Sequence, residues 1–502
     1  MNKFVTFVSD IRVSALLCSS MTVLLTACGG AADQQDLSQA KQQTQTAGYI
    51  VSTESTTAAT MPVDALTAVR ADGDQAGPAA ITPQDKGADA APSSATPYTE
   101  KDFALTGYGA ADAMPPRATT TAYGATDAAA LAEARGQQAV APAPAALAPA
   151  VPSTTYNFYV APNGNDKNAG TAAAPFKTLA RASKAAKPST TVFVAPGTYT
   201  GGIKTTVSGS ASGRIYYVSS TKWGAKIVAP GSSGKAAWDN RGSYVDIIGF
   251  HVDGSGSKWT NGIYNGGSYA MIRANHVHDV AKGVGCNGGG GSAIGVDSYY
   301  KGIKSDVVGN LVHDIGPVGC RFIQGIYVST SGSVKNNVVY RVSEGAIHLW
   351  HDANRVIITN NTVTTSSTGI IVGGGDYYHT KGPNDYTAVY SNIVYDNKMG
   401  VSEQGQTGKN NTYRNNLVFQ NSTYNFRLKN GLKHTETVTS DPLFVDYKRT
   451  GTPDLRLTSS SPAIGRGTAT EALEFDYLEN PRNAKTGYDI GAYQFQAPST
   501  QE

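Results

Sequence analysis

Asn275-His-Val-His278, Asn310-Leu-Val-His313, Asn337-Val-Val-Tyr340, Asn361-Thr-Val-Thr364, Asn392-Ile-Val-Tyr395 and Asn416-Leu-Val-Phe419 are one phrase repeated along the chain. The steps between successive Asn residues are 35, 27, 24, 31 and 24 positions. Self-similarity at such a period marks stacked repeats, each too small to bury its own apolar face. A second phrase interleaves with the first, built on Ile263, Ile294, Ile326, Ile347, Ile370, Val401 and Phe426. Two short strand phrases per repeat, separated by Gly and Asn, suit a coil of parallel strands rather than a helical solenoid. The expected fold is all-β, a right-handed parallel β-helix winding as a single-stranded solenoid.

Alternation along a strand turns this repeat into columns. Two positions after the second phrase's Ile stand Val296, Val328, Leu349, Val372 and Leu428, with exceptions at Asn265 and Glu403; these share the inner face. One position after it stand Tyr264, Gly295, Tyr327, His348, Ile371, Ser402 and Arg427. Three after it stand Gly266, Asp297, Ser329, Trp350, Gly373, Gln404 and Lys429. Both of these columns are expected to face water. In the first phrase, Val277, Val312, Val339, Val363, Val394 and Val418 point in, and His278, His313, Tyr340, Thr364, Tyr395 and Phe419 point out. The Asn residues are expected to form a turn ladder, their amides bonding from coil to coil.

The N-terminal part reads differently. Lys3 and Arg12 precede an apolar run from Val13 to Leu25 that ends in Leu25-Thr-Ala-Cys28. This resembles a bacterial lipoprotein signal peptide, which implies cleavage before Cys28 and lipid on that residue. Gly29 follows where an Asp would signal inner-membrane retention, so the resemblance implies a cell-envelope protein anchored at the outer membrane. Residues 28–154 are rich in Ala, Thr, Gln, Pro and Asp; runs such as Ala141–Pro152 cannot bury enough surface to offset chain entropy, and a disordered tether is expected. The division expected is therefore a signal at 1–27, a tether at 28–154, the β-helix at 155–440 and a closing segment at 441–497. No second apolar stretch is long enough to span a bilayer. A net charge of +3 gives no case for nucleic acid. Low charge with 55 Gly fits an all-β repeat protein with many tight turns, expected to act as a monomer.

Once Cys18 and Cys28 are set aside, Cys286 and Cys320 remain, 11 and 10 residues after Asn275 and Asn310. They fall in nearly the same slot of neighbouring coils, about 4.8 Å apart by strand spacing, so a disulfide is expected in an oxidising compartment.

Tyr159-Val-Ala-Pro-Asn-Gly-Asn-Asp166, Gly170-Thr171, Pro175-Phe-Lys-Thr-Leu179 and Val192-Phe-Val-Ala-Pro-Gly-Thr-Tyr199 together resemble the opening of secreted proteins of the pectate-lyase-like superfamily. In that pattern a short amphipathic helix, here Phe176–Ala186, caps the coil. Asp441-Pro-Leu-Phe444, Ser461-Pro-Ala-Ile-Gly465 and Asp489-Ile-Gly-Ala-Tyr-Gln494 resemble the family's closing segment. The resemblance implies a polysaccharide substrate and no single reaction, since the superfamily holds lyases, hydrolases, epimerases and adhesins. The polygalacturonase motifs, the Arg-x-Pro-x-x-Arg of well-known pectate lyases and the Asp-Pro-His-Asp of alginate-type epimerases are absent, although Leu349-Trp-His-Asp352 is distantly like the last.

The site is therefore argued from chemistry. A uronate lyase needs a base for the C5 proton, cations for the carboxylate and an acid for the leaving oxygen. The outward columns gather candidates over successive coils: Tyr327, His348 and His351 for proton transfer, and Trp350 and Tyr264 for stacking on sugar. Arg427, Lys429 and Lys381 are candidates for a sugar carboxylate, and Asp297 and Asp352 for calcium. The pairs His278/Asp279 and His313/Asp314 form a rival column with metal-binding chemistry. The sequence expectation is a lyase cleaving a uronate-containing glycan by β-elimination. Alternatives are a non-catalytic glycan-binding or surface structural protein, a hydrolase, or an epimerase. The inserts at Gly283–Gly295 and Gly373–Tyr386 are expected to project as loops beside the binding face.

Overall fold

The computed structural model describes residues 98–99, 103, 105–106, 153–229, 235–284, 290–485 and 487–497. Parallel strands wind into a right-handed β-helix running from Tyr156–Val160 to His434–Thr435. Among the described residues it has three walls rather than two: sheet 1 of 11 strands, and sheets 2 and 3 of 9 each. One coil reads Ser305–Val308 in sheet 1, Leu311–Ile315 in sheet 2 and Ile323–Val328 in sheet 3.

The first sheet escaped the sequence reading because its strands abut the Asn phrase. Only a two-residue corner parts them: a left-handed residue, then the Asn. Those corner residues are Ala274, Gly309, Asn336, Asn360, Ser391 and Asn415, all with φ between 52° and 63°. The ladder forms as expected. Amide Nδ2 donates to the next Asn Oδ1 at 3.1, 3.0, 3.0, 2.9 and 3.1 Å from Asn275 through to Asn416. Each Oδ1 also accepts the preceding Asn backbone N–H, as Asn310 does from Asn275 at 2.9 Å. The ladder Asn residues are fully buried. Buried amides with all partners supplied specify register, because a slip would leave them unbonded.

Strand register confirms the columns. Ile263, Ile294, Ile326, Ile347, Ile370, Val401 and Phe426 pair in line and fill the core between the sheets. Tyr264, Gly295, Tyr327, His348, Ile371, Ser402 and Arg427 pair in the next file. That file does not face water throughout: Ile371 and Ser402 are buried, and Tyr327 and His348 half-buried. The inward exceptions are satisfied internally. Glu403 accepts from Asn411 Nδ2 at 2.9 Å, the Tyr413 hydroxyl at 2.8 Å and the Lys429 backbone N–H at 2.8 Å.

At the N-terminal end a helix spans Leu179–Ala185, shorter at both ends than the sequence suggested. Thr178 caps it by accepting from Arg181 N–H at 3.1 Å. Asp166 holds that turn, accepting from the backbone of Lys177 and Thr178 and from the Thr178 hydroxyl. The opening motif is thus helix-start chemistry. Part of the supposed tether is also ordered: Phe103 is buried against Tyr159, and Thr106 bridges to Thr221. The rest of 1–152, with Cys28, lies outside the described residues. So does Cys286, and with it the expected disulfide; Cys320 is buried.

The C-terminal segment does not lie across the open end of the coil. It runs along the outer face of sheet 2, where Phe444, Leu455, Leu457 and Ile490 bury Tyr340, Ile393 and Tyr395. Gly491 N–H donates to Ser391 O at 2.7 Å, and Arg482 donates to Asn336 Oδ1 at 3.0 Å. Among the described residues no helix is long and apolar enough to cross a membrane.

Candidate active site on the third sheet

The strands Ile323–Val328 and Gly345–Leu349 set Tyr327 directly beside His348, with ring centroids 5.5 Å apart and edge-to-face. Burial comes first in displacing both groups. It pushes the Tyr327 hydroxyl well above its ordinary value, helped by Tyr378, Asp297 and Asp376, and pushes His348 down to about 3, helped by His351. Near neutrality the phenol therefore keeps its proton and the imidazole carries no charge. Nε2 of His348 is buried with no hydrogen-bond partner. Leaving such a nitrogen unpaired costs roughly 1–3 kcal/mol, and an orphan of this kind marks a place where the structure serves something other than stability.

His351 lies just past the strand end at φ 48°, its left-handed turn aiming the ring back over the groove. The Gly373–Tyr386 insert folds onto it. Tyr378 stacks on His351 at 4.0 Å and donates its hydroxyl to His351 Nε2 at 2.7 Å, and His351 Nδ1 meets Asp376 O at 2.8 Å. Asp352 clamps the same loop. It accepts from the Thr380 hydroxyl at 2.7 Å, from Thr380 and His379 N–H, and from Ser298 Oγ at 2.8 Å. Burial alone would raise its carboxyl, but these bonds outweigh burial and hold it below the usual range.

The other carboxylate of the calcium expectation is engaged in the same way. Asp297 accepts from the Ser329 hydroxyl at 2.5 Å, Tyr299 N–H at 2.9 Å and the Tyr264 hydroxyl at 3.0 Å. Neither Asp297 nor Asp352 belongs to a group of three or more ligand side chains; the two such groups among the described residues are on sheet 2. Both are loop-holding residues.

Trp350 is also partly spoken for. Its indole lies against a seat of glycines, where a Cβ on Gly373 would fall 2.6 Å from Cε3 and one on Gly405 2.6 Å from Cη2. Tyr264 bonds Asp297 and lies under the Arg241 guanidinium, 4.7 Å from its centroid. Lys381 is exposed on the loop, and Arg427 and Lys429 are both exposed three coils beyond His348. Lys429 Nζ donates to Gly405 O.

Sequence reasoning missed Arg241, Tyr299, Tyr300 and Tyr378, which extend the groove into an aromatic strip: Tyr299 packs on Tyr378 at 5.2 Å, and Arg241 covers Tyr300 at 3.4 Å. The three tyrosines come from loops, where no repeat column points to them, whereas Arg241 continues the file of Gly266 and Asp297 one coil earlier. A cavity of about 360 Å³ opens elsewhere, at the corner of sheets 2 and 3, lined by Arg341, Asp396, Lys398 and Arg449 among others. Arg341 and Arg449 are bonded there to Asp314 and Asp396, and the cavity holds neither Tyr327 nor His348. We therefore place the candidate chemistry in the groove.

Among solved structures, a pectate lyase Pel9A is 18% identical over 68% of this chain and 97% of its own, with a TM-score of 0.47. A rhamnogalacturonan lyase is 15% identical over 63% and 97%, with a TM-score of 0.40. The A-module of mannuronan C-5 epimerase AlgE4 of Azotobacter vinelandii is 14% identical over 50% and 66%, with a TM-score of 0.37. Uncharacterized protein YwoF of Bacillus subtilis (strain 168) is 55% identical over 42 residues, 8% of this chain; the chain spans 9% of that curated relative's length. Residues 158–309, from the first strand to the end of Ser305–Val308, match the family model of the Pel9A-like right-handed β-helix region.

Proposed function

We propose that this protein acts on an acidic, uronate-containing polysaccharide and cleaves it by β-elimination in the sheet 3 groove. The observation that carries the reading is the orphaned, uncharged His348 nitrogen beside a protonated Tyr327. The imidazole takes the C5 proton, and the phenol supplies one to the departing glycosidic oxygen. The C5–H electrons form the new C4–C5 double bond as the C4–O bond breaks, so the products are an unsaturated uronate end and a free hydroxyl. The match to the Pel9A-like region supports the same substrate class. The aromatic strip offers sugar-stacking faces, and Arg427, Lys429 and Lys381 offer cations for carboxylates further along the chain. We further propose that Cys28 carries a lipid that holds the coil at the cell envelope; labelled fatty acid should enter the full chain and be lost in Cys28→Ser.

One observation favours a second reading, a non-catalytic glycan binder: the Tyr378–His351 stack and the Asp352 clamp close the loop down on His351, the neighbour of Tyr327. Incubation of the full chain with pectate, alginate and glycosaminoglycans, followed by the ultraviolet absorbance of unsaturated uronate ends, separates the two. A rise on one polymer supports elimination. New reducing ends without absorbance mean hydrolysis, and polymer retention without either signal supports the binder.

A further inference from the structure

Four of the chain's eight histidines lie together on sheet 2, away from the groove. Strands His251–Asp253, His276–His278 and Leu311–Ile315 stand side by side, with His251 paired to His276 in one outward file and His278 to His313 in the next. In the following coils these files carry Val338, Thr362, Ile393 and Tyr340, Thr364, Tyr395, under the C-terminal segment. The four imidazoles are half-buried.

Their nitrogens converge. His251 Nε2 is 2.7 Å from His278 Nε2, and His276 Nε2 is 2.8 Å from His313 Nε2. One ligand nitrogen from each of His251, His276 and His278 lies within 4.8 Å of the others. The outer edge of two rings is fixed by carboxylates: His278 Nδ1 meets Asp279 Oδ2 at 2.6 Å, and His313 Nδ1 meets Asp314 Oδ2 at 2.6 Å. Asp279, just after its strand, and Asp314, near the end of Leu311–Ile315, are both left-handed, at φ 55° and 57°, which turns the carboxylate back onto the preceding ring. Lys282 pairs with Asp279, and Arg341 with Asp314.

A carboxylate on Nδ1 takes that nitrogen's proton as its hydrogen bond, so the lone pair of a neutral ring sits on Nε2 and faces inward. A carboxylate-backed imidazole presenting Nε2, as His278 does, is the arrangement that orients a metal ligand. We propose that His251, His276 and His278, with His313 beside His276, bind a divalent transition metal ion of the zinc class. Nitrogen donors select zinc, nickel or copper over calcium. Metal–nitrogen bonds of about 2.0–2.1 Å put tetrahedral ligand atoms about 3.3 Å apart, so the close His251–His278 pair opens by roughly half an ångström. His251 and His276, whose Nε2 protons bond their neighbours in the ion-free state, move those protons to Nδ1, with no net proton released.

The test uses the full chain made without a histidine tag and stripped by chelator. Calorimetric titration with Zn²⁺ should show one site per chain, and Ca²⁺ should neither bind there nor compete. Co²⁺ should give the intense visible absorption of a four-coordinate site made of three imidazoles and a water. His276→Ala should weaken Zn²⁺ binding by about tenfold or more, and Asp279→Asn, which keeps every imidazole, by about 10–100-fold. The second variant decides the matter if the first does not fold. No saturable Zn²⁺ binding, or binding unchanged in a folded Asp279→Asn, would mean that the histidines are only a hydrogen-bonded stack, and would overturn the proposal.

Discussion

His348 shows how much a single side chain can say. It is held uncharged down to about pH 3, against an ordinary value of 6.5. Between those values the unfolded chain binds a proton that the folded chain refuses. No stability is lost to this group above about pH 6.5; the loss grows as the pH falls toward 3 and then levels off. The slope for one such group approaches about 1.4 kcal/mol per pH unit. Urea denaturation between pH 6.5 and 4 should therefore show a falling midpoint, and His348→Gln should lessen its slope, the rest coming from His251, His276 and His351. A midpoint with the same slope in both proteins would mean that His348 is solvated. At the same scale, Asp352 is predicted to act through the loop. Asp352→Ala removes the acceptor for four hydrogen bonds and should raise hydrogen exchange at Thr380 and His379 by about tenfold or more while the strands stay protected.

At the scale of the element, the Asn corner is the unit that builds the coil. Asn337 accepts from Asn310, and donates to Asn361 Oδ1 and to the carbonyls of Val307 and Lys335. Asn337→Ala leaves several of these groups buried and unpaired, at about 1–3 kcal/mol each, so a loss of several kcal/mol in chemical denaturation is expected. A loss below about 1 kcal/mol would mean that water replaces the amide. These corners were legible in the sequence because Asn recurs where a turn needs it, and the inward files because alternation is strict. The sheet 1 strands were not: a strand such as Ser305–Val308 joins the phrase after it through Gly309 and Asn310 alone, with no loop to announce it. Tyr327 and His348 were legible as neighbours from the period. That Asp297 and Asp352 spend their oxygens on loops was not, since Thr380 and Tyr299 reach them from segments outside the repeat. His276 was within reach, because the position after the Asn alternates outward too.

Over the whole molecule, the solenoid leaves the outer face of sheet 2 apolar from Tyr340 to Phe419, and the C-terminal segment covers it. A chain ending at Ser440 should expose Tyr340, Ile393, Tyr395 and Leu417 together, a patch of the kind that drives association. Light scattering should show aggregates where the full chain shows none, and a monodisperse truncation would mean that the coil tolerates the bare face. The sheet 3 groove lies apart from that covering and from the histidine cluster of sheet 2. The central claim is that the groove performs proton transfer on a polysaccharide. Its most direct test compares turnover and polymer affinity of the native chain, His348→Ala and Tyr327→Phe on the polymer that the native chain degrades. Both variants should bind within a few-fold of native and lose about 10²–10⁴ in turnover. Native turnover in either folded variant would contradict it.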